Sequence, residues 1–139
     1  MGVVEAGCCR RTFGSVIGED MSTDAQIEQE IQAKGLTAPR ITPADIEANI
    51  ASEHYFTASQ ALVGETRGPE WQATPKELDV LTFCVLVLGN GFTVTGESAC
   101  ASPENFDAEL GRKIARANAV QKIWPLMGYS LRNKLSGAE

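Results

Sequence analysis

Two arginines with helical spacing are the residues of this sequence best suited to binding an anion. Arg112 and Arg116 lie four positions apart, so on a helix their side chains share one face and could clamp a phosphate or diphosphate. Spacing alone favours another interpretation, in which Arg112 pairs with Glu109 one turn earlier and Arg116 is solvated. That alternative is weakened modestly by small residues around the arginines, which would let a ligand approach closely: Ala108, Ala115 and Ala119.

A second group of candidate residues is aromatic and lies upstream. Tyr55 and Phe56 follow a stretch that opens with strong helix-start residues, Thr42 at the N-cap and Pro43 at the first helical position. We therefore expect a helix over residues 43–53 that ends in these aromatics. The rings either cap the core, which is the favoured interpretation, or form a flat surface on which a planar ring stacks.

Between these two groups the sequence predicts a β-hairpin. Residues 80–88 are rich in β-branched and aromatic side chains, which favour a strand. The Gly-Asn-Gly sequence at 89–91 is typical of a tight turn and leads into a second strand over residues 92–99. The first strand is apolar on both faces, so we expect it to be buried on both.

The turn position also predicts which residues of the hairpin face each other. A turn centred on Asn90 brings Val85 opposite Thr95 and Phe83 opposite Glu97, on one side of the sheet. The second strand is mixed in character, so Thr93, Thr95 and Glu97 should lie on a polar or ligand-facing surface.

The arginine pair is predicted to lie on a long helix that follows the hairpin. Ser102 as N-cap and Pro103 at the first helical position start it, and Pro125 stops or kinks it, so we expect a helix over residues 103–124. Its buried stripe should consist of apolar residues at spacings of three and four: Phe106, Leu110, Ile114, Ala117, Val120 and Trp124.

The remaining segments complete a single-domain architecture. A short helix begins at Asp24 and stops at Gly35, and residues 58–78 form a loop with only short structure, anchored by Trp71. Residues 1–23 lack periodicity and are expected to be a disordered extension. Residues 24–139 then form one α+β domain, in which an antiparallel hairpin or sheet packs against a long C-terminal helix, with a shorter N-terminal helix.

Composition excludes several classes of protein. A net charge of −6 argues against a partner that is a DNA or RNA polymer. The four cysteines form no C-x-x-C pair and His54 is the only histidine, so we expect no metal site and no cofactor. The sequence contains no nucleophile motif and no phosphate loop, so we expect that the protein is not an enzyme. The longest mainly apolar stretch is nine residues, which predicts no membrane span, and a cytoplasmic protein is the default.

Long stretches of the sequence resemble one known protein family. The segments that carry the resemblance are residues 81–100, then Asn105-Phe106-Asp107 and residues 111–115, together with residues 46–57. They closely resemble a family of small tailed-phage proteins, the gp-forty-nine-like early proteins, and the group within it that includes the sponge that inhibits Thoeris immunity. The resemblance covers residues 42–135 and leaves out residues 1–20 and 64–78.

The resemblance implies a phage anti-defence function in the cytoplasm of the infected bacterial host. Such a protein would bind and sequester cyclic ADP-ribose isomers made by bacterial TIR enzymes, glycocyclic ADP-ribose among them, without degrading them. Some members also hold the cyclic trinucleotides of CBASS systems. The resemblance further implies a homo-oligomer, either a dimer or a hexamer built from dimers.

The resemblance also implies which residues would contact the ligand. The family's arginine pair corresponds to Arg112 and Arg116, which would bind phosphates. Its hairpin pocket positions correspond to Val85 and Thr95, with Phe83 on the same face. Its aromatic at the end of the early helix corresponds to Phe56, with Tyr55 adjacent. Two rival functions remain open at this point: a protein-interaction module that binds a host or phage protein, and a hydrolase that destroys the signal.

Overall fold

The computed structural model describes residues 17–65 and 74–138, and within them the side chains of residues 24–63 and 74–138. The elements run in this order along the chain: α1 (Ile17–Ala33), α2 (Pro43–Asn49), β1 (Ile50–Thr57), α3 (Ala58–Glu65), a 3-10 turn (Lys76–Val80), β2 (Leu81–Leu88), β3 (Thr93–Ala99), a second 3-10 turn (Pro103–Asn105) and α4 (Ala108–Ser136). The α+β fold is confirmed, because an antiparallel sheet packs against the long C-terminal helix and a shorter helix precedes it.

The sheet has β2 at its centre, paired antiparallel with β1 on one side and with β3 on the other. The register predicted for the hairpin is confirmed, since Val85 lies opposite Thr95 and Phe83 lies opposite Glu97. Across the other ladder, Phe83 lies opposite Phe56. The hairpin residues predicted to share one side of the sheet therefore also share it with an aromatic of β1.

The hairpin turn owes its shape to glycine. The amide of Leu88 donates to the carbonyl of Phe92 and the amide of Gly91 donates back to Leu88, both at 2.8 Å. Gly91 has φ +86°, a left-handed conformation that is strained for any residue with a Cβ. A tight turn followed by a left-handed residue is the usual three-residue hairpin connection, so local sequence chemistry accounts for it.

The helix α4 covers only one face of the sheet. We call this covered face the inner face. The inner residues of β2 are Thr82, Cys84, Leu86 and Leu88, and all four are buried. They form the core together with residues of α4 and α2: Ala115, Ala119, Val120, Ile123 and Ile46. The opposite, outer face of β2 is half-buried. The expectation of burial on both faces therefore holds fully only for the inner one.

Helix and sheet approach most closely at Gly96 of β3. A Cβ built there would lie 2.1 Å from the carbonyl oxygen of Ala115 and 2.4 Å from the amide nitrogen of Ala119. Both alanines are fully buried. The three small residues thus allow the backbone of α4 to lie directly on the strand. The prediction that Ala115 and Ala119 line an open face beside the arginines is wrong, because they contact the sheet.

The exposed edge of β3 is occupied by side chains from α4. The amide of Asn118 donates to the carbonyl of Glu97 at 2.9 Å, and the ammonium of Lys122 donates to the carbonyl of Thr95 at 2.6 Å. Backbone carbonyls on an edge strand otherwise remain free to pair with another chain. The helix that supports the sheet therefore also limits strand addition at this edge.

The predicted helix over residues 43–53 is wrong in its second half. Thr42 caps α2 as expected and forms a capping box with Asp45, but the helix ends at Asn49 and residues 50–57 form β1. Isoleucine, tyrosine, phenylalanine and threonine in this segment favour a strand, and β2 supplies a partner along its whole length. Tyr55 and Phe56 therefore lie on a strand and point to opposite faces of the sheet.

The long helix differs from its prediction at both ends. Ser102 and Pro103 start a 3-10 turn, and α4 itself begins one turn later, with Asp107 as N-cap accepting from the amide of Leu110. Pro125 does not end the helix, which continues to Ser136. Because Pro125 is exposed, the carbonyl that loses its helical partner there can be solvated by water.

The buried stripe of α4 is rotated relative to its prediction. Ile114 and Val120 are buried as expected, whereas Leu110 is 42% exposed and Ala117 is half-buried. The stripe instead passes through small residues and one large one: Gly111, Ala115, Ala119 and Ile123. Close packing at Gly96 causes the difference, since the smallest side chains turn toward the strand.

α1 begins at Ile17, seven residues before the predicted start at Asp24. The described part of residues 58–78, predicted as a loop with only short structure, contains the two-turn helix α3 and a 3-10 turn. Trp71 and residues 1–16 lie outside the described residues, so the roles predicted for them stay predictions.

Candidate functional site

A cavity of about 190 Å³ lies where β1 ends, β2 begins and the first turn of α4 crosses them. We call it the Thr82 cavity. Its lining combines aromatic rings, hydroxyl and amide groups and one cation: Tyr55, Phe56, Thr57, Gln60, Thr82, Phe106, Ala108 and Arg112. Three of the residues predicted for the site, namely Tyr55, Phe56 and Arg112, meet here.

Arg112 is exposed at the mouth of this cavity. Within the described part of the chain it has neither an ion pair nor a hydrogen bond, so the predicted pairing with Glu109 is not formed. A guanidinium that no carboxylate occupies keeps its donors for an incoming anion.

Thr82 contributes a hydroxyl that lacks a partner. The residue is only 3% exposed, and its Oγ1 makes no hydrogen bond to any described residue. Leaving such a group unpaired in the interior costs about 1–3 kcal/mol.

Gln60 and Thr57 hold the opposite wall through a capping box at the start of α3. The amide of Thr57 donates to Gln60 Oε1 at 2.9 Å, and the amide of Gln60 donates to Thr57 Oγ1 at 3.2 Å. The Gln60 side-chain nitrogen makes no hydrogen bond to any described residue, so its two N–H groups can donate to other groups. Nothing in the local sequence around Gln60, Thr82 or Phe106 marks them as site residues, because only the fold brings them together.

Arg116 is placed differently from Arg112. Its guanidinium makes a two-pronged contact with Glu47 of α2, at 2.8 and 3.2 Å, and its Nε donates to Glu53 of β1. The hydrogen bonds that Arg116 donates to Glu47 and to Glu53 raise the pKa of its guanidinium above the ordinary value. The second arginine of the predicted clamp thus joins three elements of the fold, and it could bind a phosphate only by exchanging these two carboxylates.

Tyr55 lies beside this ion pair on the inner face. Its hydroxyl donates to Glu53 at 3.3 Å, and its ring is opposite the fully buried Cys84. Burial raises the pKa of Tyr55 to about 12 and that of the Cys84 thiol to about 11. Both groups are therefore neutral at physiological pH and serve as a hydroxyl and a small apolar side chain.

The other predicted site residues lie on the outer face of the sheet. Phe56 and Phe83 stack there with ring centroids 5.6 Å apart and planes inclined by 21°. Val85 follows along β2, flanked by His54 and Thr95 across the two ladders. His54 is an exposed strand residue that contacts Ser52.

Phe56 connects the two groups of predicted residues. It lines the Thr82 cavity and also stacks on Phe83 of the outer face. Phe83, Val85 and Thr95 do not line that cavity. The structure therefore brings the predicted residues to two adjoining surfaces, a small cavity beneath α4 and the half-buried aromatic and aliphatic outer face of the sheet.

A larger groove of about 580 Å³ lies at the other end of the molecule, beside the hairpin turn and the last turns of α4. It contains none of the predicted site residues. Its lining is mainly apolar, with Asn49, Asn90, Ser130 and Lys134 as its polar members. Among the described side chains no cluster of histidine, cysteine or acidic residues could hold a metal ion. None of the described helices is long and apolar enough to cross a membrane.

Comparison with known proteins places the chain in a family. No curated protein and no solved structure matched the sequence. The family model of the phage protein (N4 Gp49/phage Sf6 gene 66) family matches residues 41–135, which span the strands, the Thr82 cavity and nearly all of α4. The chain therefore belongs to the phage protein (N4 Gp49/phage Sf6 gene 66) family.

Proposed function

We propose that this phage protein is an anti-defence sponge, which binds cyclic nucleotide immune signals and holds them without degrading them. The expected ligands are cyclic ADP-ribose isomers of Thoeris systems, such as glycocyclic ADP-ribose, and the cyclic trinucleotides of CBASS systems. It would act in the cytoplasm of the infected host. The observation that carries the proposal is Arg112, a cation with no ion pair among the described residues, at the mouth of a cavity whose lining includes Tyr55, Phe56 and Phe106.

The chemistry of this site suits a nucleotide. A guanidinium forms charged, bidentate hydrogen bonds with phosphate oxygens, and aromatic side chains stack on nucleobases. Neither contact requires a nucleophile or a general base. The proposal that the ligand is stored and not converted rests on this kind of lining.

The volume of the cavity supports a further part of the proposal, a homo-oligomer. About 190 Å³ is below the roughly 300–1,000 Å³ of pockets that enclose a whole drug-sized ligand. A second copy docked on the outer face would border the cavity, because Phe56 belongs to both. We therefore propose a dimer through this face, on its own or as the unit of a hexamer.

Isothermal titration calorimetry with cyclic ADP-ribose isomers and cyclic trinucleotides tests the function. We expect at least one of these compounds to bind the full chain, and the Arg112→Ala variant to bind it about 10- to 100-fold more weakly, the loss expected for charged hydrogen bonds to phosphate. Arg132→Ala is the matched control, because it removes the same charge from the same helix about 30 Å away along its axis. If none of the compounds binds, the proposal is wrong.

The rival functions give different results in the same preparation. A sponge returns its ligand intact when the complex is heat-denatured and the nucleotides are analysed by mass spectrometry, whereas a hydrolase returns a cleaved product. A protein-interaction module would retain its protein partner after Arg112→Ala, and the wild-type chain would bind no cyclic nucleotide.

A further inference from the structure

The larger groove, beside the hairpin turn and the last turns of α4, has the lining of a site for an apolar chain. We call it the turn groove. Its volume of about 580 Å³ lies within the roughly 300–1,000 Å³ of sites that accept small molecules. Most of its lining is apolar, and the larger aliphatic members come from three parts of the fold: Ile41, Leu88, Leu126, Met127 and Leu131. Aliphatic walls that include a flexible methionine suit a hydrocarbon chain better than a flat ring, which stacks on aromatic faces.

Two apolar side chains of the turn groove are left largely uncovered by the rest of the described chain. Phe92 at the hairpin turn is 54% exposed, and Leu126 on α4 is 40% exposed. Removal of apolar surface from water is the main source of binding free energy for an apolar ligand. A hydrocarbon chain in the groove would therefore be stabilised by covering both side chains.

The charges around the turn groove favour an anionic ligand. No carboxylate is among the described residues that line it, and its one cation, Lys134, forms no ion pair within the described part of the chain. The sequence of α4 contains no acidic residue after Glu109, although the whole chain has a net charge of −6. An anionic head group would therefore meet an unopposed ammonium here, whereas a cationic head group would be repelled.

The cation lies at one end of the lining that α4 supplies. The residues that the helix contributes are spaced by three and four positions and so share one side of it: Leu126, Met127, Ser130, Leu131 and Lys134. At 1.5 Å of rise per residue this stripe is about 12 Å long. A chain lying along it places its apolar end beside Leu126 and its charged end beside Lys134.

We propose that the turn groove binds a free aliphatic carboxylate of medium chain length, of the fatty-acid class. The hydrocarbon lies against Phe92, Leu126 and Met127, and the carboxylate pairs with Lys134. The groove shares no lining residue with the Thr82 cavity, so this site is independent of the proposed nucleotide-binding function.

Isothermal titration calorimetry of the full chain with octanoate, decanoate and dodecanoate, each below its micelle-forming concentration, tests the apolar part of the site. We expect affinity to rise about fourfold for each added methylene group, the increment for moving that group out of water. Decyltrimethylammonium has the opposite charge on a chain of similar length and should bind about 5- to 10-fold more weakly than decanoate. The proposal is overturned if none of the carboxylates binds, or if the cation binds as tightly as decanoate.

Lys134→Gln and Arg132→Gln are a matched pair of variants for the head group. Each removes one cation from the last turns of α4, but only Lys134 lines the groove. Lys134→Gln should weaken decanoate binding about 2- to 5-fold, as expected for an exposed ion pair, and leave the binding of uncharged 1-decanol unchanged. Arg132→Gln should change neither affinity. Equal losses of decanoate affinity in the two variants would contradict the assigned contact.

Nuclear magnetic resonance of the methyl-labelled full chain locates the bound hydrocarbon. Decanoate should shift the methyl signals of Leu126, Met127 and Leu131 and leave that of Val85, on the outer face of the sheet, unchanged. Shifts at Val85 without shifts in the groove would overturn the proposal. Vesicles of phosphatidylglycerol distinguish a free carboxylate from a lipid surface, because a protein that sediments with the vesicles and does not bind decanoate uses this face as a membrane contact instead.

Discussion

At the scale of single residues, two arginines one helical turn apart have opposite roles. Arg116 is enclosed by Glu47 and Glu53, which lie 69 and 63 positions away in the sequence, whereas Arg112 has no ion pair among the described residues. Their spacing predicts a shared face but contains no information on these distant carboxylates. Arg116 therefore makes a stabilising contact because α2 and β1 approach α4 at its position. Arg112 is left available for an anion because they do not bring a carboxylate to it.

Replacing each arginine by alanine should separate these roles. Arg116→Ala leaves two carboxylates facing each other without a cation, so the free energy of unfolding should fall by about 1–3 kcal/mol. Because Glu47 is partly exposed, solvent screens part of the repulsion between the two carboxylates. Arg112→Ala should change it by no more than about 0.5 kcal/mol. Urea denaturation of the two variants measures both values, and equal losses would contradict the assignment.

At the scale of elements, the contact between α4 and β3 determines which residues of the helix become core. Gly96 admits the helix backbone to a distance that no side chain would allow, and the small residues Ala115 and Ala119 turn inward to meet it. Apolar residues at spacings of three and four positions predict an amphipathic helix. They do not predict which of two overlapping stripes on that helix is buried. The prediction selected the larger apolar residues, and Leu110 consequently proved to be exposed.

Gly96→Ala should therefore be severely destabilising. Its Cβ would meet backbone atoms of α4, which cannot rotate away as a side chain can, so we expect a loss of about 3 kcal/mol or more in thermal or urea unfolding. Gly128→Ala, the same substitution at an open position of α4, is the control. Nothing lies within 4 Å of its Cβ, and alanine should raise stability by a few tenths to about 1 kcal/mol. If the Gly96→Ala variant unfolds at the same midpoint as the wild type, the contact between α4 and β3 is looser than described.

At the scale of the whole molecule, α4 covers one face of the sheet, and the outer face of β2 is only half-buried. The core lies between the sheet and α4, while Phe56, Phe83 and Val85 form an aromatic and aliphatic surface that no described element covers as α4 covers the inner face. Side chains of α4 already occupy the β3 edge, so face-to-face contact is better suited than strand addition to join two copies. A self-complementary contact of this kind is expected for a two-fold dimer.

Phe83→Asp tests whether the outer face joins copies of the chain. A charge at the centre of a packed apolar interface is strongly unfavourable, so we expect the wild type to sediment as an oligomer and the variant as a monomer with an unchanged circular dichroism spectrum. Tyr129→Asp removes another aromatic, which is 71% exposed on α4, and should keep the wild-type mass. A monomeric wild type, or an oligomeric Phe83→Asp variant, would contradict the proposed dimer.

The sequence by itself determined the hairpin, its register and the position of both arginines on the following helix. These features depend on turn chemistry, on alternation along a strand and on helix capping, all of which act over a few residues. Tertiary structure decided that residues 50–57 are a strand, since only the presence of β2 makes that pairing available. It also decided that Arg116 is held by two carboxylates while Arg112 stays available beside Thr82, because the groups that surround each arginine come from other elements of the fold.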